Sequence, residues 1–169
     1  AGELVVDGSI ASSSVASFGS GTRLSGSGFV GYTQIPDGAT LVGVQGQTLT
    51  MASLDLYAGS IVDVSLGAPG TTALFDVTGD LMLDGTLNVT DAGGFGPGLY
   101  RLFDYGGTLT DNTLEIGAVP GGVDAADLEV QTAVAGQVNL VNSAYVGDLL
   151  FWDGDAVGNA DNGAIDGGD

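Results

Sequence analysis

Acid–base, nucleophilic and metal chemistry draw on a few side-chain types, and this sequence carries a narrow selection of them. It has 21 acids, two cations (Arg23 and Arg101), and no lysine, histidine or cysteine. Without those three residue types no base is present to activate a serine, which excludes Ser-His-Asp, Cys-His and Ser-Lys hydrolysis. Redox thiol chemistry and disulfides are excluded with them. Paired carboxylates remain, since glycoside hydrolysis needs only two acids across a scissile bond. Asp63, Asp84 and Asp104 fall on neighbouring repeat positions and are predicted to line one edge, which makes a glycosidase the minor alternative. Aspartate is so frequent in the turns that a pair arises by coincidence, so no catalytic residue is assigned and the chain is read as not an enzyme. A lyase acting on an acidic polysaccharide is a poor fit, because Arg23 and Arg101 lie far apart in a chain of formal charge −19.

Metal chemistry has one set of candidates. Asp153, Asp155, Asn159 and Asp161 offer oxygen ligands at short spacing, in the manner of a calcium loop. The EF-hand pattern fails there, with Val157 at position 5 and Ala164 where the bidentate Glu belongs. A solvated acidic tail is the preferred reading and calcium the alternative; no cofactor is expected. Tyr32, Tyr57, Tyr145 and Trp152 are candidate carbohydrate platforms, set against the plainer role of rim or cap packing. The charge excludes nucleic acid, because nothing would neutralise phosphates. An anionic bilayer surface is excluded on the same ground. The acidic shell is read as a solubilising surface that blunts association.

The elements that must position these residues follow from one stretch. Phe75 to Thr90 reads FDVTGDLMLDGTLNVT, in which the apolar pairs Phe75/Val77, Leu81/Leu83 and Leu87/Val89 recur every six residues. One residue separates the members of each pair, so each predicts a short strand with two side chains on one face. Gly79-Asp80 and Asp84-Gly85 between them supply tight turns. The pattern predicts one coil of a β-solenoid, and like pairs recur nearby. Leu4/Val6, Leu24, Val42/Val44, Val62/Val64, Leu81/Leu83 and Tyr100/Leu102 form one column at 18–20 residues. Ile35, Leu54/Leu56 and Phe75/Val77 form a second at 19 and 21. The predicted fold is all-β: a right-handed parallel β-helix with coils of about 20 residues, the alternative being a sandwich or jelly roll. Six coils stacked about 4.8 Å apart give a rod roughly 25–30 Å long.

Along the chain, residues 1–148 are predicted to form the β-helix domain. Within it 1–40 are irregular first coils or a cap, 41–105 regular coils, and 106–148 a capping region. In that region Leu128–Val130 and Val138–Leu140 flank a hairpin turn. Residues 149–169 read as the start of a further module or a flexible acidic tail, and the chain as a fragment. Ala1-Gly2-Glu3 reads as a mature or excised N-terminus. Phe95, in the insertion AGGFGPG, is expected over the rod surface or a neighbouring loop. YRLFDY (100–105) breaks strict alternation, and Phe103 is expected to face outward. Arg101 and Asp104 are a candidate ion pair. No apolar run of 18 residues is present, so no direct membrane insertion of this segment is expected.

The segments LFDVTGDLMLDGTLNVTDAGGFGPGLYRLFDYGGTLTDN, DLEVQTAVAGQVNLVN and FWDG resemble passenger regions of bacterial autotransporters, over about residues 40–155. The glycine-rich turns are generic, whereas YRLFDYGGTL is more specific. The resemblance implies a β-helical rod exported through the outer membrane by a C-terminal barrel. It also implies a location at the cell surface, anchored or released, and an adhesive or scaffolding role. Expected partners are cell-surface glycans or proteins, or the chain itself as a homo-oligomer. Such modules are alternatively read as subunits of an extracellular fibre built by end-to-end strand addition.

Overall fold

The computed structural model describes residues 2–12 and 19–144. The chain winds in stacked rungs. The first rung holds β1 (Glu3–Val6) and β2 (Ser9–Ile10), the second β3 (Arg23–Gly26) and β4 (Phe29–Ile35). β5 (Thr40–Val44) and β6 (Leu49–Leu56) form the third. The fourth holds β7 (Ile61–Leu66), β8 (Phe75–Val77) and β9 (Leu81–Leu83), and the fifth β10 (Thr86–Asp91), β11 (Gly98–Tyr105) and β12 (Leu109–Asp111). β13 (Glu115–Ile116) opens the last. A single 3-10 turn at Ala125–Asp127 and the hairpin β14 (Leu128–Gln131) and β15 (Gln137–Asn142) follow it. No α-helix occurs among the described residues, and none could therefore cross a membrane there.

Two sheets enclose the core. The first sheet stacks β1, β3, β5, β7, β10 and β13, all parallel. In the second, β2, β4 and β6 stack in parallel, and β6 is then overlaid by both β8 and β9. β11 continues β8, and β12 continues β9. The predicted β-solenoid is therefore what the chain forms, and FDVTGDLMLDGTLNVT supplies β8, β9 and β10. In β8 and β9 the flanking apolar side chains are buried and the middle one is not. Segment 1–40, expected to be irregular, places Leu4 on Leu24 and Ile10 on Val30.

The columns differ from the predicted ones. In the first sheet the stack runs Leu4, Leu24, Leu41, Val62, Leu87, Ile116, in steps of 20, 17, 21, 25 and 29 residues. Leu41 and Gly43, not Val42 and Val44, thus sit over Val62 and Val64, and Val44 is 41% exposed. Leu81 belongs to the other sheet, between Leu54 and Leu109. Phe75 and Val77 lie on Leu49 and Met51, not on Leu54 and Leu56. Uneven rung length is the physical cause. The corner leaving the first sheet spans residues 27–28, then 45–48, then 67–74, then 92–97. The second-sheet run changes as well, from β6 alone to β8 and β9 joined by a turn and then to β11 and β12, so a column set at one fixed step slides onto the wrong face.

Phe103 also corrects the expectation. It is fully buried and stacks on Phe75, ring centroids 4.9 Å apart. Between Arg101 and Phe103 the pairing of β11 with β15 slips by one residue, which is a β-bulge. The extra residue lets Leu102 and Phe103 both point inward, where strict alternation allows only one. Phe95 is partly buried against the core, its ring 4.8 Å from that of Tyr100.

The corners are tied from rung to rung by side chains. Asp37 Oδ1 accepts from the Gly59 N–H at 2.8 Å, and Asp80 Oδ1 from the Thr108 N–H at 2.7 Å. Asn88 Oδ1 accepts from the Ala118 N–H at 2.8 Å. These acids and amides satisfy backbone donors that no strand ladder reaches.

Candidate functional site

The outer faces of the two sheets carry the residues available for chemistry. On the second sheet, β4 and β6 run parallel with Tyr32 beside Ser53 and Gln34 beside Asp55. Their inward neighbours Thr33, Ile35, Leu54 and Leu56 are fully buried, so alternation fixes the outward set. Tyr57 follows β6, its N–H held by the Ile35 carbonyl at 3.2 Å. Tyr32, Gln34, Asp55 and Tyr57 therefore form one cluster across two adjacent rungs. The Tyr32 hydroxyl donates to Asp55 Oδ2. Gln34 Nε2 donates to the hydroxyl oxygens of Tyr32 at 2.5 Å and Tyr57 at 3.0 Å. Tyr32 is 36% exposed and Tyr57 39%. The hydrogen bond to Asp55 pushes the Tyr32 phenol up to about 12, with partial burial and the charge of Asp55 adding to it. Tyr32 is thus held neutral, and the two hydroxyls are fixed in place by the Gln34 amide and, at Tyr32, by the Asp55 carboxylate.

On the first sheet, Arg23, Val42, Asp63, Ser65, Asn88 and Thr90 line a groove of about 220 Å³. Arg23 Nη1 lies 3.2 Å from Asp63 Oδ2, and Asn88 Nδ2 donates to Asp63 Oδ1 at 2.9 Å. Both oxygens of this carboxylate are already engaged, which suits holding three rungs together rather than moving a proton.

The three aspartates expected on one edge are separated. Asp63 faces outward from the first sheet. Asp84 sits in the turn after β9, its Oδ1 accepting from the Gly85 N–H at 2.8 Å. Asp104 lies on β11 in the second sheet, paired with Arg101 at 2.6 Å. Arg101 also donates from Nε to Asn139 Oδ1 at 2.7 Å, and only 13% of its side chain is exposed. The Arg101–Asn139 hydrogen bond ties the hairpin to the rungs. Among the described residues no group of three acidic side chains is placed to hold a metal ion. Asp153, Asp155, Asn159 and Asp161 lie outside the described residues, as do Tyr145 and Trp152. Of the four aromatic platforms, Tyr32 and Tyr57 are brought together. Gln34 and Asp55 escaped the sequence reading, although their two-residue offsets from Tyr32 and Tyr57 put each on the same face as its tyrosine.

Stacked parallel rungs with acid-rich corners and exposed sheet faces define the β-solenoid class. No protein-family model and no solved structure matches the chain. Over 143 residues, 79% of its length, it is 49% identical to a protein of Brucella suis biovar 1 (strain 1330) named Adhesin BmaC autotransporter. The chain belongs to the autotransporter passenger family, and its place is the extracellular face of the bacterial cell. It spans 4% of the length of that relative.

Proposed function

We propose that this chain is an adhesive module of a bacterial surface protein, a β-helical rod that presents its outer sheet faces to another surface without catalysing a reaction. The observation that carries this reading is the identity of 49% with a protein named as an adhesin. The corner residues support it, because Asp37 and Asp80 are spent on joining rungs and Asp84 and Asp91 on their own turns, which leaves the flat faces for contact. The adhesive unit lies within residues 1–148. The partner class is cell-surface glycan or protein. The test is adhesion of beads coated with the chain to host cells and matrix, beside beads coated with an unrelated protein of equal charge. Saturable binding above the control is expected; binding equal to the control overturns the proposal.

A further inference from the structure

The Tyr32–Gln34–Asp55–Tyr57 cluster has a donor and acceptor pattern that the fold itself does not use up. We propose that it is a binding site for a neutral oligosaccharide, an assignment that rests on the adhesive reading and gives it a site. Among the described residues, Asp55 Oδ1 and Gln34 Oε1 accept no hydrogen bond, and the Tyr57 hydroxyl donates none. Two acceptors and one donor, set beside two exposed rings, match neighbouring sugar hydroxyls, each of which both gives and takes a hydrogen bond. The ring faces then cover the apolar face of a pyranose, the role that half-exposed tyrosines fill where one side is apolar and the other wet. Tyr32 lies beside Ser53 and Tyr57 follows Leu56, so the two rings are offset along adjacent rungs while their hydroxyls converge on the Gln34 amide, which gives the cluster one continuous polar line between two apolar rings.

Charge narrows the ligand. The chain carries −19, and Asp55 lies in the middle of the cluster, so a sialylated or uronic-acid glycan is repelled. A basic side chain is attracted by Asp55 and by the ring faces. It can only donate, however, and it leaves the Tyr57 hydroxyl proton without a partner. The mixed pattern favours the neutral sugar. The cluster is also preorganised: Gln34 fixes both hydroxyls, so little side-chain freedom is lost on binding.

The experiment is a glycan array with neutral, anionic and amine-bearing oligosaccharides and a basic peptide. It is probed with the chain and with the variants Tyr32→Ala, Tyr57→Ala and Asp55→Asn. The expected result is binding confined to neutral glycans, weakened about tenfold by loss of either ring. Asp55→Asn, which keeps an acceptor at the same place, is expected to cost less. Circular dichroism of each variant checks the fold, and Tyr32→Phe and Tyr57→Phe serve as milder substitutions that keep both rings. Neutral-glycan binding that all these variants leave unchanged overturns the site. So does binding only to the basic peptide, abolished by Asp55→Asn, or binding to nothing on the array. The adhesive reading fails separately. If beads adhere to cells and the tyrosine variants adhere equally, the site is wrong and the adhesion stands. If the array shows the expected pattern and the beads do not adhere, the site stands alone.

Discussion

At the scale of single residues, polar side chains are held by backbone and by one another across rungs, and Tyr32 shows what such a contact does to a titratable group. Its hydroxyl hydrogen bond to Asp55 favours the neutral phenol, and partial burial adds to this, so the proton is held up to about 12. An unfolded tyrosine loses its proton near pH ~10. The folded value is the higher one, so the contribution to stability is complete below about pH 10 and is lost as pH rises towards about 12. Ultraviolet titration of the phenols is expected to show a late-ionising tyrosine that disappears in Tyr32→Phe and ionises earlier in Asp55→Asn. Tyr100, raised by burial, remains late in both variants and serves as an internal reference. A titration unchanged by Asp55→Asn removes Asp55 as the cause. The turn chemistry at this scale was legible in the sequence, because Asp-Gly has few other uses. Asp84 and Gly85 turn the chain between the sheets, and Gly85 takes φ +90° with Ser60 O only 2.6 Å from where a Cβ would stand. The Tyr32–Asp55 contact was not legible, since it joins residues 23 apart whose meeting depends on register.

At the scale of elements, register is what alternation alone does not supply. Val42/Val44 and Leu41/Gly43 are both two-residue faces of β5, and the sequence reading took the more apolar pair. The structure turns Leu41 and Gly43 inward because the position over Val64 has no room for a valine. A Cβ at Gly43 would lie 2.7 Å from the tip of the Phe75 ring. The large ring arriving from β8 and the missing side chain on β5 are one packing decision, of the kind that a single strand does not reveal. Gly43→Ala is therefore expected to destabilise the fold by about 1–3 kcal/mol through overpacking. Phe75→Leu is expected to cost stability alone, yet to recover part of the loss in the double variant, because the shorter side chain vacates the contested space. Urea denaturation of the wild type, both single variants and the double variant measures this coupling. Strictly additive losses mean that Gly43 and Phe75 do not compete. The β11 bulge follows the same logic. The broken alternation of YRLFDY was visible, but its resolution needed the partner strand β15, against which the slip admits Leu102 and Phe103 together.

At the scale of the whole molecule, the near-20-residue repeat was legible because every rung must bury the same narrow interior. Its lengthening to 25 and then 29 residues was not, because the extra residues lie in the 67–74 and 92–97 corners and in a second-sheet run that divides into two strands joined by a turn, features that strand alternation does not register. The charge of the molecule was also plain from composition, and the structure shows how little of it is paired. Among the described residues two ion pairs occur, Arg23 with Asp63 and Arg101 with Asp104, against 21 acids in the chain. The Arg23 pair is substantially exposed, and such pairs contribute little in water. The remaining acids repel one another along a rod, and unfolding relieves that repulsion by moving them apart. Salt shortens the reach of the repulsion from about 30 Å at ~0.01 M to about 3 Å at ~1 M. It weakens the two attractive pairs as well, so the sign of the response reports which group dominates. Because unpaired acids far outnumber the pairs, sodium chloride is expected to stabilise the chain by about 1 kcal/mol over that range. For a chain of this length that is a rise in Tm of roughly 2–4 °C. Arg23→Gln is expected to steepen the rise, since it removes a pair that salt weakens and leaves one more uncompensated carboxylate at Asp63. A Tm that falls as salt is added means that the two arginines hold the rungs together more strongly than the acidic shell pushes them apart.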